Sequence, residues 1–461
     1  MMKPVCIQGL GFVGAAMAVA LASVRTDEGE PVFDVTGVDL PTAAGRQRID
    51  ALNDGRFPFE TTDAALRAAA TQAATAGNLR ATDDPTAFGD ADIIVVDVNL
   101  DVDRSDDEPR VDFEPLRDAI RAIGENMRPS ALVIVETTVP PGTCDKIVIP
   151  ALQDALGMRG CDRDDFLLAH SYERVMPGTD YLQSITHYWR VYAGLTPAAA
   201  AACGAFLEQL IDTKTYPLTR LDTLIASETA KIMENSYRAT NIAFIEEWGR
   251  FAEAVGIDLF QVIDAIRLRP THNNIRQPGF GVGGYCLTKD PLLAGIAVRD
   301  LIGRHDLAFP FSESAVRTNE AMPLVSLDRL ECMLGGDLSG KCVLIMGITY
   351  RQDVADTRCS PSEAFALAAR QRGAEVVAHD PLVEHWEELE MDVNTELPSA
   401  ETVDGVVFAV PHGSYRDLDL GEWLNGTRTV VLDSNNVLTS TQRDAVIDAG
   451  CTYASIGRGE A

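Results

Sequence analysis

Lysine is what this chain has least of. Six stand among its 461 residues, at positions 3, 146, 214, 231, 289 and 341, and arginine supplies the rest of the 39 basic residues, against 69 acidic ones. The formal net charge of −30 excludes a non-specific nucleic-acid binder, which must neutralise phosphates. Long apolar runs are also missing. None reaches the roughly 18 residues that a membrane span needs, so no membrane partner is expected. The nine cysteines follow neither a pairing pattern nor metal-ligand spacing. They read as reduced thiols in a cytoplasm, with no disulfide framework and no metal. The opening MMKPVCIQGLGFVGAAMAVALA has the apolarity of a signal peptide, but its glycine spacing makes it a nucleotide loop and predicts no export. The acidic, lysine-poor, alanine-rich composition fits either a halophilic source or a GC-rich genome.

A chain of this length predicts two to four domains with ample core. Val5 to Gln8 reads as a strand. GLGFVG follows, placing Gly9, Gly11 and Gly14 in G-x-G-x-x-G spacing with Phe12 and Val13 between the last two, and a helical run from Ala15 to Ser23 comes next. Such glycines serve a tight turn, close approach to a pyrophosphate and helix–strand packing, and the helix start faces the phosphates. A second strand, Phe33 to Val38, ends in Asp39, where an acid binds the ribose hydroxyls of the adenosine and favours NAD over NADP. Arg46 beyond it reads equally as an adenosine flank or as an exposed helix residue.

The α/β alternation continues with strands at Ala91–Val98 and Leu132–Thr138, the latter running into TTVPPGT. The charged loop 101–112 between them is expected to be mobile. Phe166–His170 is a further strand leading into SYERVMPG, so Glu173 and Arg174 fall just past a strand's carboxyl end, where open α/β sheets collect ligands. Val191–Gly194 closes this domain, and Thr196–Leu210 is a helix.

From about Asp222 the pattern becomes strongly helical for some 34 residues, with Gly256 as the stop. Glu228, Lys231, Asn235 and Arg238 are three or four apart and share one face. Charged stripes are commonly solvated faces, yet an i, i+4 Lys–Asn pair also sets two donors side by side, as an oxyanion site requires. The helix carries an apolar stripe as well, which predicts a homodimer or higher oligomer. RLRPTHNNIRQPGFG then gathers Arg267, Arg269, His272 and Arg276, a basic cluster suited to an anionic substrate such as a diphosphate. It runs into GFGVGGYCLTKDP. Four glycines (Gly279, Gly281, Gly283, Gly284) present Cys286 just before an apolar helix over Leu292–Val298. A thiol at a helix start sits in positive potential, which favours the thiolate. A tight turn holding a small core residue is the alternative.

Leu324–Leu334 reads as a helix broken by Gly335-Gly336. A second α/β unit starts at Gly340, with strands at Cys342–Gly347, Glu375–His379, Val406–Val410 and Thr429–Asp433, and a helix entered through Pro361. Tyr350-Arg351 and Asp356-Thr357-Arg358 follow its first strand, again at the ligand edge. The fold class is therefore α/β: two Rossmann-like doubly wound domains joined by a central helical domain with one long helix. The boundaries are 1–212 for the NAD domain, 213–322 for the central domain with the cysteine loop, and 323–461 for the second α/β domain.

In this order the chain resembles the nucleotide-sugar 6-dehydrogenases, the UDP-glucose, GDP-mannose and UDP-N-acetylhexosamine dehydrogenase family. GVGGYCLTKDP and ETAKIMENSYR carry the resemblance most specifically, and TTVPPGT, SYERVMPG and ITYRQDVADTRCSP agree. It implies a four-electron oxidation of a sugar primary alcohol to a carboxylate with two NAD molecules used in succession. By resemblance Cys286 is the nucleophile, passing through a thiohemiacetal and a thioester. Lys231 and Asn235 steady the oxyanion, Asp290 helps to activate water or the thiol, and Glu173 and Thr138 surround the reacting centre. Gly9, Gly11, Gly14, Asp39, Thr138, Lys289 and Arg358 match cofactor contacts. Glu173, Arg174, Val175, Lys231, Asn235, Arg238, His272, Gly283, Tyr350 and Arg351 match the nucleotide-sugar site. Three departures stand out. Val98-Asn99-Leu100 replaces a Pro-Thr-Pro-like turn, Pro177 stands where UDP-glucose enzymes tend to carry a second glutamate, and His272 stands where the N-acetylhexosamine branch has arginine.

YERVMPG leans toward the UDP-N-acetylhexosamine branch and GGYCLTKD toward UDP-glucose. The expected activity is a UDP-N-acetylhexosamine 6-dehydrogenase supplying surface polysaccharide or glycan synthesis, with UDP-glucose and then GDP-mannose as alternatives. A two-electron β-hydroxyacid dehydrogenase shares the Rossmann domain, helical middle and lysine, but has no need of Cys286 or a second α/β domain. A non-catalytic nucleotide-binding regulator would not require the Cys286, Lys231, Asn235 and Asp290 set.

Overall fold

The computed structural model describes residues 2–105 and 108–459. They form two compact units. One holds the chain up to Met233 together with Leu292–Ala308, and the other holds Glu234–Pro291 together with Phe309 onward.

The first unit is built on eight strands: β1 (Lys3–Gln8), β2 (Phe33–Val38), β3 (Leu79–Thr82), β4 (Ile93–Val96), β5 (Leu132–Val135), β6 (Leu167–His170), β7 (Val191–Gly194) and β8 (Thr219–Arg220). Their order is β8-β7-β6-β5-β4-β1-β2-β3. Pairing is parallel except between β6 and β7. Central strands such as IIVV and LVIV are buried at every residue, as expected where helices cover both faces of a parallel sheet. Helix α1 (Phe12–Ser23) is alanine-rich and buried from Gly14 to Ala22, so small side chains bring it close to the sheet. The chain winds from β1 outward to β3 and returns to place β4 on the other side of β1. That reversal sets the ligand crevice at the carboxyl ends of β1 and β4.

The loop 101–112 carries a short antiparallel ribbon, Val102–Asp103 with Arg110–Val111. Val102 and Val111 pack on Ile232, Leu293 and Ile296, which tethers a loop that its charges alone made look mobile. Asp106 and Asp107 lie outside the described residues.

Helix α2 runs from Leu224 to Val255, 32 residues, and the boundary between the units falls within it. Gly256 follows at φ +76° and stops it.

The second unit holds five parallel strands, β9 (Cys342–Met346), β10 (Glu375–His379), β11 (Gly405–Phe408), β12 (Val430–Asp433) and β13 (Thr452–Ser455), in the order β10-β9-β11-β12-β13. Its reversal lies between β9 and β11. The same unit carries α3 (Tyr285–Lys289), α4 (Pro310–Met333) and α5 (Pro361–Gln371). Two features differ from the sequence reading. Strand β13 escaped notice because TYAS has little apolar signal. Helix α4 begins 14 residues before Leu324, because Pro310 opens it in its first turn and Pro323 is tolerated inside it. Among the described residues no helix is long and apolar enough to cross a membrane.

Candidate active site

The first unit presents a dinucleotide loop. A Cβ built on Gly14 would lie 1.9 Å from the Gly9 carbonyl oxygen, and one on Gly9, at φ +93°, would lie 2.6 Å from the Asp97 carbonyl oxygen. Only glycine allows this turn. Gly11 caps α1 with no side-chain hydrogen bond, and a Cβ there would meet nothing within 4 Å. The first-turn amides, including those of Phe12, Val13 and Gly14, therefore face an open position suited to phosphate. Asp39 is buried at the end of β2. Its Oδ1 accepts from the Leu40 amide at 2.7 Å, and its Oδ2 accepts from the Leu10 amide at 3.3 Å and from Arg48 Nε at 2.7 Å. Arg48 was not singled out from the sequence. Arg46 is exposed and pairs with Asp83 instead. These residues fit NAD: a glycine cradle for the pyrophosphate and a strand-end carboxylate for the ribose.

At the carboxyl end of β6, Glu173 is buried. Its backbone oxygen accepts from Lys231 Nζ at 2.8 Å, its Oε1 lies 3.5 Å from the same nitrogen, and its Oε2 accepts from the Val175 amide. Lys231 is 6% exposed and also lies over the Tyr172 ring. Arg174 donates to the Trp189 carbonyl and to the Tyr172 hydroxyl. Glu173 and Arg174 are therefore not a surface ion pair. The face of α2 that carries Glu228 and Lys231 is likewise not solvated. Glu228 accepts from the amides of Gly142 at 2.6 Å and Cys144 at 2.8 Å, fastening the turn that follows half-buried Thr138. His170 is fully buried with Nδ1 at 2.8 Å from Ser227 Oγ, and burial pulls its pKa down to about 3, so the ring is neutral.

The second unit displays the cysteine. Gly284, at φ +82°, caps α3, and its amide donates to the Cys359 carbonyl at 3.3 Å. A Cβ on Gly284 would lie 2.9 Å from the Tyr350 ring, and one on Gly283 would lie 2.7 Å from Tyr350 Cβ, so both positions bring backbone against that ring. Cys286 is exposed and occupies the second residue of α3, inside the helix rather than before it. Four residues on, buried Asp290 takes Lys289 Nζ on Oδ1 at 3.0 Å and Asn235 Nδ2 on Oδ2 at 2.7 Å. Lys289 also lies over the Tyr285 ring. The structure thus joins half-buried Asn235 to the buried pair Asp290 and Lys289. Burial, helped by the charge of Asp356, pushes the Tyr350 hydroxyl up to about 12. Arg358 clasps Asp356 through two contacts of 2.9 and 2.6 Å. Arg238, His272 and Arg351 are exposed.

At the β9–β11 reversal the structure adds a residue that sequence reasoning missed. His412 is fully buried, with Nε2 3.1 Å from Asp380 Oδ2 and Nδ1 accepting from the Asp353 amide at 3.0 Å. It braces the loop that carries Tyr350 and Arg351. Nothing in PHGS marks it as buried. Among the described residues no His, Cys, Asp or Glu group is arranged to hold a metal ion.

A phosphate-binding loop with a ribose acid, and a second doubly wound sheet whose ligand edge abuts a displayed thiol, define an NAD-dependent dehydrogenase of nucleotide-bearing substrates. Three models of the UDP-glucose/GDP-mannose dehydrogenase family match the chain: the NAD-binding domain over residues 3–210, the central domain over 226–321 and the UDP-binding domain over 344–440. The chain belongs to this family and is an NAD-dependent nucleotide-sugar dehydrogenase.

Its similarity runs to the UDP-N-acetylhexosamine branch. A UDP-N-acetyl-D-mannosamine dehydrogenase of Methanocaldococcus jannaschii is 30% identical over 440 residues, covering 95% of this chain and 93% of the relative. The structure of a UDP-D-ManNAc dehydrogenase from Pyrococcus horikoshii superposes with a TM-score of 0.81 at 25% identity over the whole of both chains. That of an NDP-N-acetyl-D-galactosaminuronic acid dehydrogenase from Methanosarcina mazei gives 0.80 at 27%, over 99% of this chain and 96% of the other.

Proposed function

We propose that this protein is a UDP-N-acetylhexosamine 6-dehydrogenase, oxidising the C6 alcohol of UDP-ManNAc or UDP-GlcNAc to the uronate. The observation that carries the reading is Cys286, exposed in the first turn of α3 behind a glycine pair that only a side-chain-free backbone can form. The names of the similar proteins support the substrate class. NAD, when bound, accepts one hydride on each of two successive visits. The half-oxidised sugar must stay held between them, and a thiol adduct does this. The Cys286 sulfur adds to the aldehyde carbon. The Lys231 ammonium and the Asn235 amide stabilise the resulting alkoxide. After the second oxidation the adduct is a thioester, and attack by water, assisted by Asp290, releases the carboxylate and restores the thiol. Glu173 holds the Lys231 amine, and Thr138 borders the centre. Tyr350, Arg351, Arg174, Val175, Arg238, Gly283 and His272 are assigned to the nucleotide sugar, and Lys289 and Arg358 to cofactor contacts.

The proposed division of labour is 1–212 for NAD, 213–322 for the cysteine loop and dimerisation, and 323–461 for the nucleotide, with the product feeding surface polysaccharide or glycan synthesis. We assign the protein to the cytoplasm, where its nine cysteines, none of them in a disulfide, stay reduced. A homodimer through α2 is supported by one outward face. Tyr237, Phe244, Trp248, Phe251 and Val255 are each 45–57% exposed, and the three central rings meet edge to face at 6.3 and 5.7 Å. The test is NADH production with UDP-GlcNAc, UDP-ManNAc, UDP-GalNAc, UDP-glucose and GDP-mannose. Two NADH per acid from an N-acetylated UDP-sugar supports the assignment. Preference for UDP-glucose moves it to the alternative branch, and one NADH per product refutes the covalent scheme.

A further inference from the structure

Three strand ends of the first unit bring together a group, buried at Glu136 and Arg190 and half-buried at Asp97, that the scheme above does not use. Asp97 directly follows β4, Glu136 directly follows β5, and Arg190 directly precedes antiparallel β7, so all three reach the carboxyl edge of the sheet. Glu136 and Arg190 are 2% and 1% exposed and pair through Oε1. Asp97 presses on the dinucleotide loop. Its backbone oxygen closes the Gly9 turn, and its Cβ lies 3.1 Å from where a Gly14 Cβ would be.

Among the described residues the cluster's buried orphans are two acceptor oxygens and one donor, Arg190 Nη2. Asp97 Oδ2 and Glu136 Oε2 are both buried and lack a donor among the described residues, although the two carboxyls are hydrogen-bonding neighbours. Two ionised carboxylates cannot bond to each other, but one shared proton satisfies both orphan oxygens. Charge counting agrees. The groups facing Asp97 are Glu136, Glu173 after β6, and Arg190. Lys231 of α2 lies against Glu173. Cys203, which faces Glu136 and Arg190 from the helix Pro197–Leu210, is pushed up to about 12 by burial and stays neutral. Three carboxyls meet two cations, so one acid keeps its proton. Burial first, and the neighbouring carboxylates second, place it on Asp97.

We propose that Asp97 is a positioning residue for NAD, an un-ionised acid that donates its O–H to Glu136 and holds the β4 turn against the glycine loop without adding negative charge beneath the pyrophosphate. Ionising Asp97 sets a net negative charge under a phosphate site, so NAD affinity falls as this proton is lost at high pH.

The full-length apo protein and two variants, Asp97→Asn and Asp97→Ala, test this by thermal denaturation between pH 4 and 9, by NAD binding over the neutral and alkaline range, and by infrared spectroscopy of the apo protein. An acid whose pKa is raised on folding weakens the fold increasingly above its unfolded pKa. Asp97→Asn, which keeps a donor, should therefore be at least as stable as the wild type at pH 8, with the gap closing toward pH 4. It should bind NAD within about threefold of the wild type at pH 7 and lose the alkaline decline in affinity. Asp97→Ala should bind about tenfold more weakly. The wild type should show an un-ionised carboxylic acid band at pH 8 that is absent from Asp97→Asn. The opposite stability sign, with Asp97→Asn weaker at pH 8 and equal at pH 4, would mean an ionised Asp97 paired with Arg190 and would overturn the proposal. So would a missing acid band, an unchanged alkaline profile in Asp97→Asn, or wild-type NAD affinity in Asp97→Ala. If Asp97→Ala does not fold, the Asp97→Asn profiles and the acid band decide.

Discussion

The side-chain amide of Asn235 donates to Oδ2 of Asp290 at 2.7 Å, and Lys289 takes the other oxygen of the same buried carboxylate at 3.0 Å. A residue of the long helix and a residue of the cysteine segment are thereby held in one polar group, 55 positions apart in the chain. The bond also orients Asn235, since an amide that gives one N–H to a carboxylate keeps its second N–H for another acceptor.

Replacing Cys286 with serine should abolish net acid formation while NAD still binds, because the cofactor loop belongs to the other unit. Product analysis and NAD titration of the same preparation check this. Uronate made at the wild-type rate would end the covalent scheme.

Lys231→Ala should lower kcat by about two to three orders of magnitude, the range seen when an oxyanion donor is removed, with a much smaller change in KM. Steady-state kinetics separate the two. A large rise in KM at constant kcat would make Lys231 a binding residue.

His170 gives a pH signature. It is buried and neutral, with its pKa pulled down from 6.5 to about 3 by burial. A depressed value means that the folded state resists protonation that the unfolded chain accepts. Its contribution is therefore complete above pH 6.5 and is lost as pH falls from 6.5 toward 3. His170→Gln, titrated by denaturant unfolding, should show a shallower acid-side decline than the wild type. Identical slopes would remove His170 from the acid response.

Charge on the outward face of α2 should break the proposed dimer. Trp248→Glu combined with Phe251→Glu removes two rings that meet edge to face on the exposed ladder. Light scattering should move from two chains to one without loss of helical signal. A variant that keeps the wild-type mass would place the contact elsewhere.

Much of this architecture can be read from the residues. Runs such as IIVV and LVIV, followed by glycine or polar turns, mark buried parallel strands because both faces must be apolar. The glycine spacing after β1 and the acid after β2 mark the cofactor edge for the same local reasons. Features set by distant partners are not legible. Glu228 looks like part of a wet stripe until its carboxylate is seen on amides 84 and 86 residues away. Arg48 becomes a partner of Asp39 only through the angle at which its helix leaves β2. Asp97, Glu136 and Arg190 lie in three separate turns, and no spacing rule joins them. Pro323 misled the reading because its local cost is plain while the packing that offsets it is not.

The grip of Glu228 on the amides of Gly142 and Cys144 has a mechanical corollary. Lys231 rides one turn further along the same rod, so the amine and the VPPGT turn are geared to each other. If α2 slides or tilts within the first unit, both travel with it, and the spacing between ammonium and turn survives the stroke.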